Sequence, residues 1–160
     1  MLQNQKITTF LWFDQNAEEA IRWYVSIFEN SKVLSETRWG EGGPAQKGTL
    51  MAARFQLAGQ EFLALNGRPQ SGFTEAVSLL VDCETQSEVD ELWERLGDGG
   101  EPGRCGWLKD KYGLSWQIVP TVLGEMLQDK DAAKAKRVAD AMLQMNKLDI
   151  KRLKQAYDQR

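Results

Sequence analysis

A chain of 160 residues, 42% apolar and 27% charged, has the length of one compact domain or of two small repeats sharing a core. Its apolar content excludes a mainly disordered chain, and no run of roughly 18 apolar residues exists to span a membrane. The net charge is -3 and there is no histidine, which removes every catalytic or metal-binding scheme that needs an imidazole. The two cysteines, Cys83 and Cys105, lack C-x-x-C spacing and read as small buried hydrophobes. The N-terminal stretch MLQNQKITTFLWF has no basic segment followed by an apolar one and a cleavage site, so a bacterial, cytoplasmic protein is expected.

Ile7 to Phe13 is β-branched and aromatic and predicts a buried strand. Asp14 and Asn16 are N-cap residue types, with Glu18 and Glu19 placed to meet the helix dipole. A helix follows, with Ala17, Ala20, Ile21, Tyr24 and Phe28 on one face. Lys32 to Trp39 predicts a second strand. Residues 40–48, GEGGPAQKG, form a Gly-rich loop without the G-K-[ST] of a phosphate loop. Thr49 to Leu57 and Glu61 to Leu65 predict two strands around a tight turn at Ala58-Gly59-Gln60. Residues 66–72 predict a loop.

The order then restarts. Ala76 to Val81 predicts a strand, and Thr85 or Ser87 caps a helix with Val89, Leu92, Trp93 and Leu96 on its apolar face. Residues 97–103 hold glycines and a proline and predict a loop. Cys105 to Leu108 and Leu114 to Val119 predict strands around a turn at Lys109 to Gly113. The chain is therefore a β-α-β-β-β repeat, α+β in class, with one short strand hard to see in the second half. Beyond Pro120 the pattern is helical, and from Asp129 onward nine Lys or Arg stand against five Asp. Val138, Ala141, Met142, Met145 and Leu148 form a docking stripe, while Asp131, Asp140 and Asp149 interrupt the basic face. No nucleic-acid or membrane partner is expected.

Three blocks, FLWFDQNAEEAIRWYVSIF, FTEAVSLLVDCETQSEVDELWERL and CGWLKDKYGLSWQIVPTVLGEML, resemble the PhnB-like group of the glyoxalase, bleomycin-resistance and dioxygenase superfamily, also called vicinal oxygen chelate. Within it the chain resembles the branch named 3-demethylubiquinone-9 3-methyltransferase. The likeness runs from about Thr9 to about Tyr157 and includes AMLQMNKLDI in the tail. It implies paired β-α-β-β-β modules over residues 7–68 and 75–120, within a domain over residues 1–123 and followed by a helical extension over residues 121–160. It also implies a cupped, mixed or antiparallel sheet around a pocket, a homodimer and a small-molecule ligand.

Metal-dependent members of the superfamily place ligands on four strands. The equivalent positions here are Ile7, Leu63 or Ala64, Ala76 and Gln117. Apolar side chains cannot ligate a cation, and one neutral amide cannot hold a transition metal alone. No metal and no cofactor are expected. No G-x-G turn joins a strand to a helix, so the methyltransferase name does not imply S-adenosylmethionine binding.

Alternation places Thr9, Leu11 and Phe13 toward the implied cup, and Phe10 and Trp12 toward the helices. Trp12, Trp23 and Trp93 are then core residues. Ser78, Leu80 and Asp82 share a face, as do Ser115 and Gln117. The pocket candidates are Thr9, Leu11, Phe13, Asn66, Ser78, Trp107, Trp116 and Gln117, with Asn66, Ser78 and Gln117 as orienting polar groups. Lys109 and Asp110 precede the last strand and are expected to form a solvated turn. The function expected is small-molecule binding without metal. The alternatives are a metal-independent enzyme and a dimeric interaction module.

Overall fold

The computed structural model describes residues 5–159. The chain divides into two compact units, Met1–Gly72 and Phe73–Arg160.

The first unit runs β1 (Thr9–Asp14), α1 (Ala17–Ile27), β2 (Lys32–Arg38), β3 (Leu50–Leu57) and β4 (Gln60–Gly67). The sheet order is β1-β4-β3-β2. β1 lies parallel to β4, as the intervening helix crossover allows, and the other pairs are antiparallel hairpins. The β3–β4 turn has Ala58 at φ 47° and Gly59 at φ 85°, two left-handed residues that match strand twist in a two-residue hairpin. Ala17, Ala20, Ile21, Tyr24 and Ile27 form the buried face of α1. Ile27 takes the place expected for Phe28, because Phe28 is already extended at the C-cap.

The facing of β1 is the reverse of the expectation. Leu11 and Phe13 are 6% and 1% exposed and lie on the α1 side, where the Phe13 and Tyr24 rings are 6.3 Å apart. Phe10 and Trp12 are 54% and 47% exposed and take the opposite face. Both parities of this strand are apolar, so alternation alone does not choose between them. The partner strand chooses. On the helix side Leu11 pairs with the small Ala64, which has no exposure. On the other side the Trp12 indole lies against Gly67, where a Cβ would come within 2.8 Å of its Nε1.

The second unit repeats the arrangement. It runs β5 (Ser78–Cys83), α2 (Gln86–Gly97), β6 (Glu101–Pro102), β7 (Trp107–Lys109) and β8 (Ser115–Pro120). The order β5-β8-β7-β6 matches that of the first sheet, again with the outer pair β5–β8 parallel. β6 is the strand that the sequence obscures, since its two residues lie in the Gly/Pro-rich stretch read as loop. β5 begins at Ser78, so Ala76 sits in a turn rather than on the strand, with its N–H donating to Thr74 Oγ1 at 3.3 Å. Thr85 caps α2 by accepting from the Glu88 N–H.

Three helices complete this unit: α3 (Thr121–Leu127), α4 (Ala132–Met142) and α5 (Ile150–Asp158). They close around Leu123, Met126, Val138, Met145, Leu148 and Leu153, with Ala141 and Met142 packed alongside. Asp131 and Asp149 cap α4 and α5. Polar seams tie them to the preceding elements. Cys105 N–H donates to Met145 O at 2.8 Å, and Gln86 both donates to Leu148 O at 3.0 Å and accepts from Ile150 N–H at 2.8 Å. Among the described residues no helix is long and apolar enough to cross a membrane. The fold is α+β, two four-stranded mixed sheets with C-terminal helices.

Candidate functional site

Register defines one face of the second sheet. Ser78 pairs with Ser115 and Leu80 with Gln117 across β5–β8, while Trp107 pairs with Gln117 and Lys109 with Ser115 across β7–β8. Paired residues share a side, so Ser78, Leu80, Trp107, Lys109, Ser115 and Gln117 lie together. Leu80 is 52% exposed there. Gln117 Nε2 donates to Ser78 Oγ at 2.9 Å, a pairing that orients both groups. Lys109 Nζ stands 3.9 Å from Glu75 Oε2, a loose ion pair at the rim.

Ser115 is the residue that this face adds. It is 1% exposed and its hydroxyl has no hydrogen-bond partner among the described residues. It lines a cavity of about 160 Å³ with Glu101, Pro102, Trp107, Leu108 and Lys109 among its walls. Alternation groups Ser115 with Gln117, but nothing in the sequence marks its hydroxyl as unpaired. A buried polar group without a partner costs about 1–3 kcal/mol, so such an atom calls for an explanation.

Trp116 falls on the opposite side and leaves the set of pocket candidates. It is 2% exposed, and its indole N–H donates to Asp110 Oδ2 at 2.8 Å. Asp110 Oδ1 accepts from the N–H groups of Tyr112 and Leu114 at 2.8 and 3.1 Å. Asp110 is 3% exposed, so the turn expected to be solvated is pinned from inside by a buried carboxylate. Both oxygens of that carboxylate hold the turn and the Trp116 indole in place.

In the first unit Thr9, Leu11 and Phe13 take the helix side with Phe62 and Ala64. The exposed face carries Phe10, Trp12, Leu63 and Leu65, with an Arg54–Glu61 ion pair at 2.8 Å. Asn66 is structural as well. Its Oδ1 accepts from Ala17 N–H at 3.1 Å and its Nδ2 donates to Leu50 O at 3.1 Å. It thereby caps α1, a task that the N-cap residue Asn16 does not perform with its own side chain.

The residues at the metal-ligand positions do not fit a metal ion. Ile7 is apolar and 87% exposed, Ala64 has no exposure and Ala76 lies in a turn. Gln117 offers one neutral amide oxygen, with its nitrogen donating to Ser78. Among the described residues no cluster of three His, Cys, Asp or Glu side chains could hold a cation. S-adenosylmethionine fits no better, because the strand–helix junctions at Gln15-Asn16, Glu84-Thr85 and Pro120-Thr121 lack the glycine that lets a backbone approach a cofactor. Burial pushes the Cys83 thiol up to about 12, so it is not a nucleophile at neutral pH.

Comparisons with known proteins agree with this architecture. The sequence model described as 3-demethylubiquinone-9 3-methyltransferase matches residues 5–119. The tail motif AMLQMNKLDI lies outside that span. A search of curated proteins gives no match. Among solved structures, a PhnB protein from Bacillus cereus is 41% identical over 73% of this chain and all of that one, with a TM-score of 0.69. Protein PA1353 from Pseudomonas aeruginosa is 21% identical, covering 71% of this chain and 96% of that chain, with a TM-score of 0.62. The fosfomycin resistance protein FosX from Listeria monocytogenes, solved with Mn(II) and sulfate, shares the fold at 17% identity, covering 71% of this chain and 88% of that chain, with a TM-score of 0.52. By the family match and the 41% identity, the chain belongs to the PhnB-like 3-demethylubiquinone-9 3-methyltransferase family of the vicinal oxygen chelate superfamily.

Proposed function

We propose that this protein binds a small organic molecule, without a metal, on the exposed face of its second sheet. The observation that carries the proposal is Ser115, which lines a cavity of about 160 Å³ and whose buried hydroxyl has no hydrogen-bond partner among the described residues. A ligand oxygen or nitrogen bonded to it removes the cost of an unmade hydrogen bond. Trp107 supplies an apolar wall, and the Gln117–Ser78 pair supplies a second polar contact on the same face. At roughly 30 Å³ per water the cavity holds about five waters, so it admits a small molecule or one end of a larger one. No reaction is assigned.

The same reading includes a homodimer in a bacterial cytoplasm. Exposed Phe10, Trp12, Val77 and Leu80 support self-association, since exposed apolar clusters mark interaction surfaces. Light scattering tests it, and a monomer at high concentration would count against it.

A thermal-shift screen over metabolites and antibiotics tests binding. At least one compound is expected to raise the Tm, and Ser115→Ala is expected to abolish that rise while leaving the free protein as stable or slightly more so. A set in which nothing raises the Tm, or in which Ser115→Ala and Gln117→Leu keep the full shift, would overturn the proposal.

A further inference from the structure

We propose that the first unit carries a separate site for a small organic oxyanion, seated on Arg68 with its apolar part against Trp39. A cavity of about 360 Å³ opens beneath the Gly-rich connection between β2 and β3, within the size range of ligand pockets. Among its lining residues, which include Gln15, Trp39, Gln46, Thr49, Asn66 and Arg68, the guanidinium of Arg68 is the one charged group.

That charge has no carboxylate partner among the described residues. With the Gln15 amide oxygen turned toward it, Arg68 donates from Nε at 2.6 Å and from Nη2 at 3.3 Å. A neutral amide oxygen leaves the positive charge uncompensated, and the remaining N–H groups of the fork keep their capacity. Glu18 and Glu36 pair with Arg38, and Glu41 pairs with Lys47. Planar guanidinium recognises carboxylate and phosphate through paired N–H donors, and an unpaired one in a neutral cavity selects for an anion.

The cavity is preformed rather than a gap under a loose loop. Trp39 N–H donates to Thr49 O at 2.9 Å and Gly48 N–H donates to Trp39 O at 2.8 Å, which closes the base of the loop. The loop backbone then lies against the indole, so that a Cβ at Gly43 would stand 2.9 Å from Trp39 Cε3. Gln15 is held in a left-handed conformation at φ 61° by its N–H, which is shared between Phe13 O and Gly67 O at 3.1 and 3.0 Å. Asn66, bonded at both ends of its amide, fixes the floor. Thr49 and the Gln46 amide add neutral hydrogen-bonding groups. The chemistry is that of an aromatic or aliphatic carboxylate or phosphate ester.

Titration of the full chain with benzoate, phenyl phosphate, benzamide and benzylamine tests this, read from the Trp39 indole N–H resonance identified by its loss in Trp39→Phe. Benzoate or phenyl phosphate is expected to shift that resonance saturably. Whichever binds more tightly names the oxyanion, and benzamide and benzylamine leave the resonance in place. Arg68→Gln is expected to weaken binding at least about tenfold and Arg68→Lys to restore part of it. Lys130→Gln, at an exposed cation of the second unit, leaves the affinity unchanged. Arg68 is exposed, so an unaltered circular dichroism spectrum and Tm will show that these variants fold. Benzamide binding as tightly as benzoate, full affinity in Arg68→Gln, or no saturable shift with either oxyanion would overturn the site. Failure of the Ser115 cavity to bind ligand does not bear on it, because every probe here is read at Trp39.

Discussion

The carboxylate of Asp110 accepts the indole N–H of Trp116 at 2.8 Å, inside a turn that also delivers two backbone N–H groups to the same side chain. This relationship explains why a charged residue sits 3% exposed beside β7. One carboxylate satisfies three donors, and the turn it closes sets the approach of β8 to β7. Asp110→Ala leaves those donors without an acceptor and is expected to cost about 3 kcal/mol in denaturant unfolding. A loss below about 1 kcal/mol would show that water replaces the carboxylate.

The facing of β1 makes an equally direct prediction. Phe13→Ala opens a hole against Tyr24 and is expected to cost about 3–5 kcal/mol. Phe10→Ser, at a residue 54% exposed, is expected to change monomer stability by less than about 0.5 kcal/mol. Urea melts of the two variants decide the parity, and the opposite ranking would restore the arrangement read from alternation.

Glu18 titrates abnormally. Its hydrogen bonds to Arg38 and then to Arg22 hold its carboxyl at about 2, against an ordinary 4.5. A depressed folded value contributes stability above the unfolded value and loses it as pH falls through the folded one. The pair is a third exposed, which limits the contribution to about 0.5–1 kcal/mol. Glu18→Gln is therefore expected to be less stable than the parent at pH 6 and to converge with it near pH 2. A constant gap across that window would mean that the charge is not the cause.

The two thiols are expected to react at different times. Cys83 has no exposure and burial raises its thiol to about 12, from 9.0. Cys105 is partly exposed. A disulfide reagent at pH 8 should label one thiol per native chain promptly, at Cys105, and the second only on unfolding. A raised pKa acts in the other direction with pH, since above pH 9 the unfolded thiol ionises while the folded one does not. Cys83 therefore lowers stability progressively between pH 9 and 12, and Cys83→Ala should flatten that decline.

Elemental analysis after dialysis checks the donor argument. The apolar residues at the ligand positions are expected to leave less than one Ni, Zn, Fe or Mn per chain. A stoichiometric metal surviving dialysis would contradict it.

The sequence by itself determined the repeat, the class of the fold and the family. Periodicity distinguishes the helices from the strands, the Ala58-Gly59 turn announces its hairpin, and Thr85 marks the start of α2. These are local signals, and local physics decides them. The missing histidine and the apolar residues at the ligand positions were equally legible, because they are matters of residue type. Tertiary structure decided which way each residue faces. Leu11 and Phe13 against Phe10 and Trp12 is a choice between two apolar stripes, settled by Ala64 on one side and Gly67 on the other, residues more than 50 positions away. Asn66 and Trp116 read as pocket groups until the positions of Ala17 and Asp110 show their hydrogen bonds already made. Ser115 and Arg68 are ordinary in sequence. Among the described residues Ser115 lacks a hydrogen-bond partner and Arg68 lacks a carboxylate, and such an absence is a property of the folded surroundings that no run of residues encodes locally.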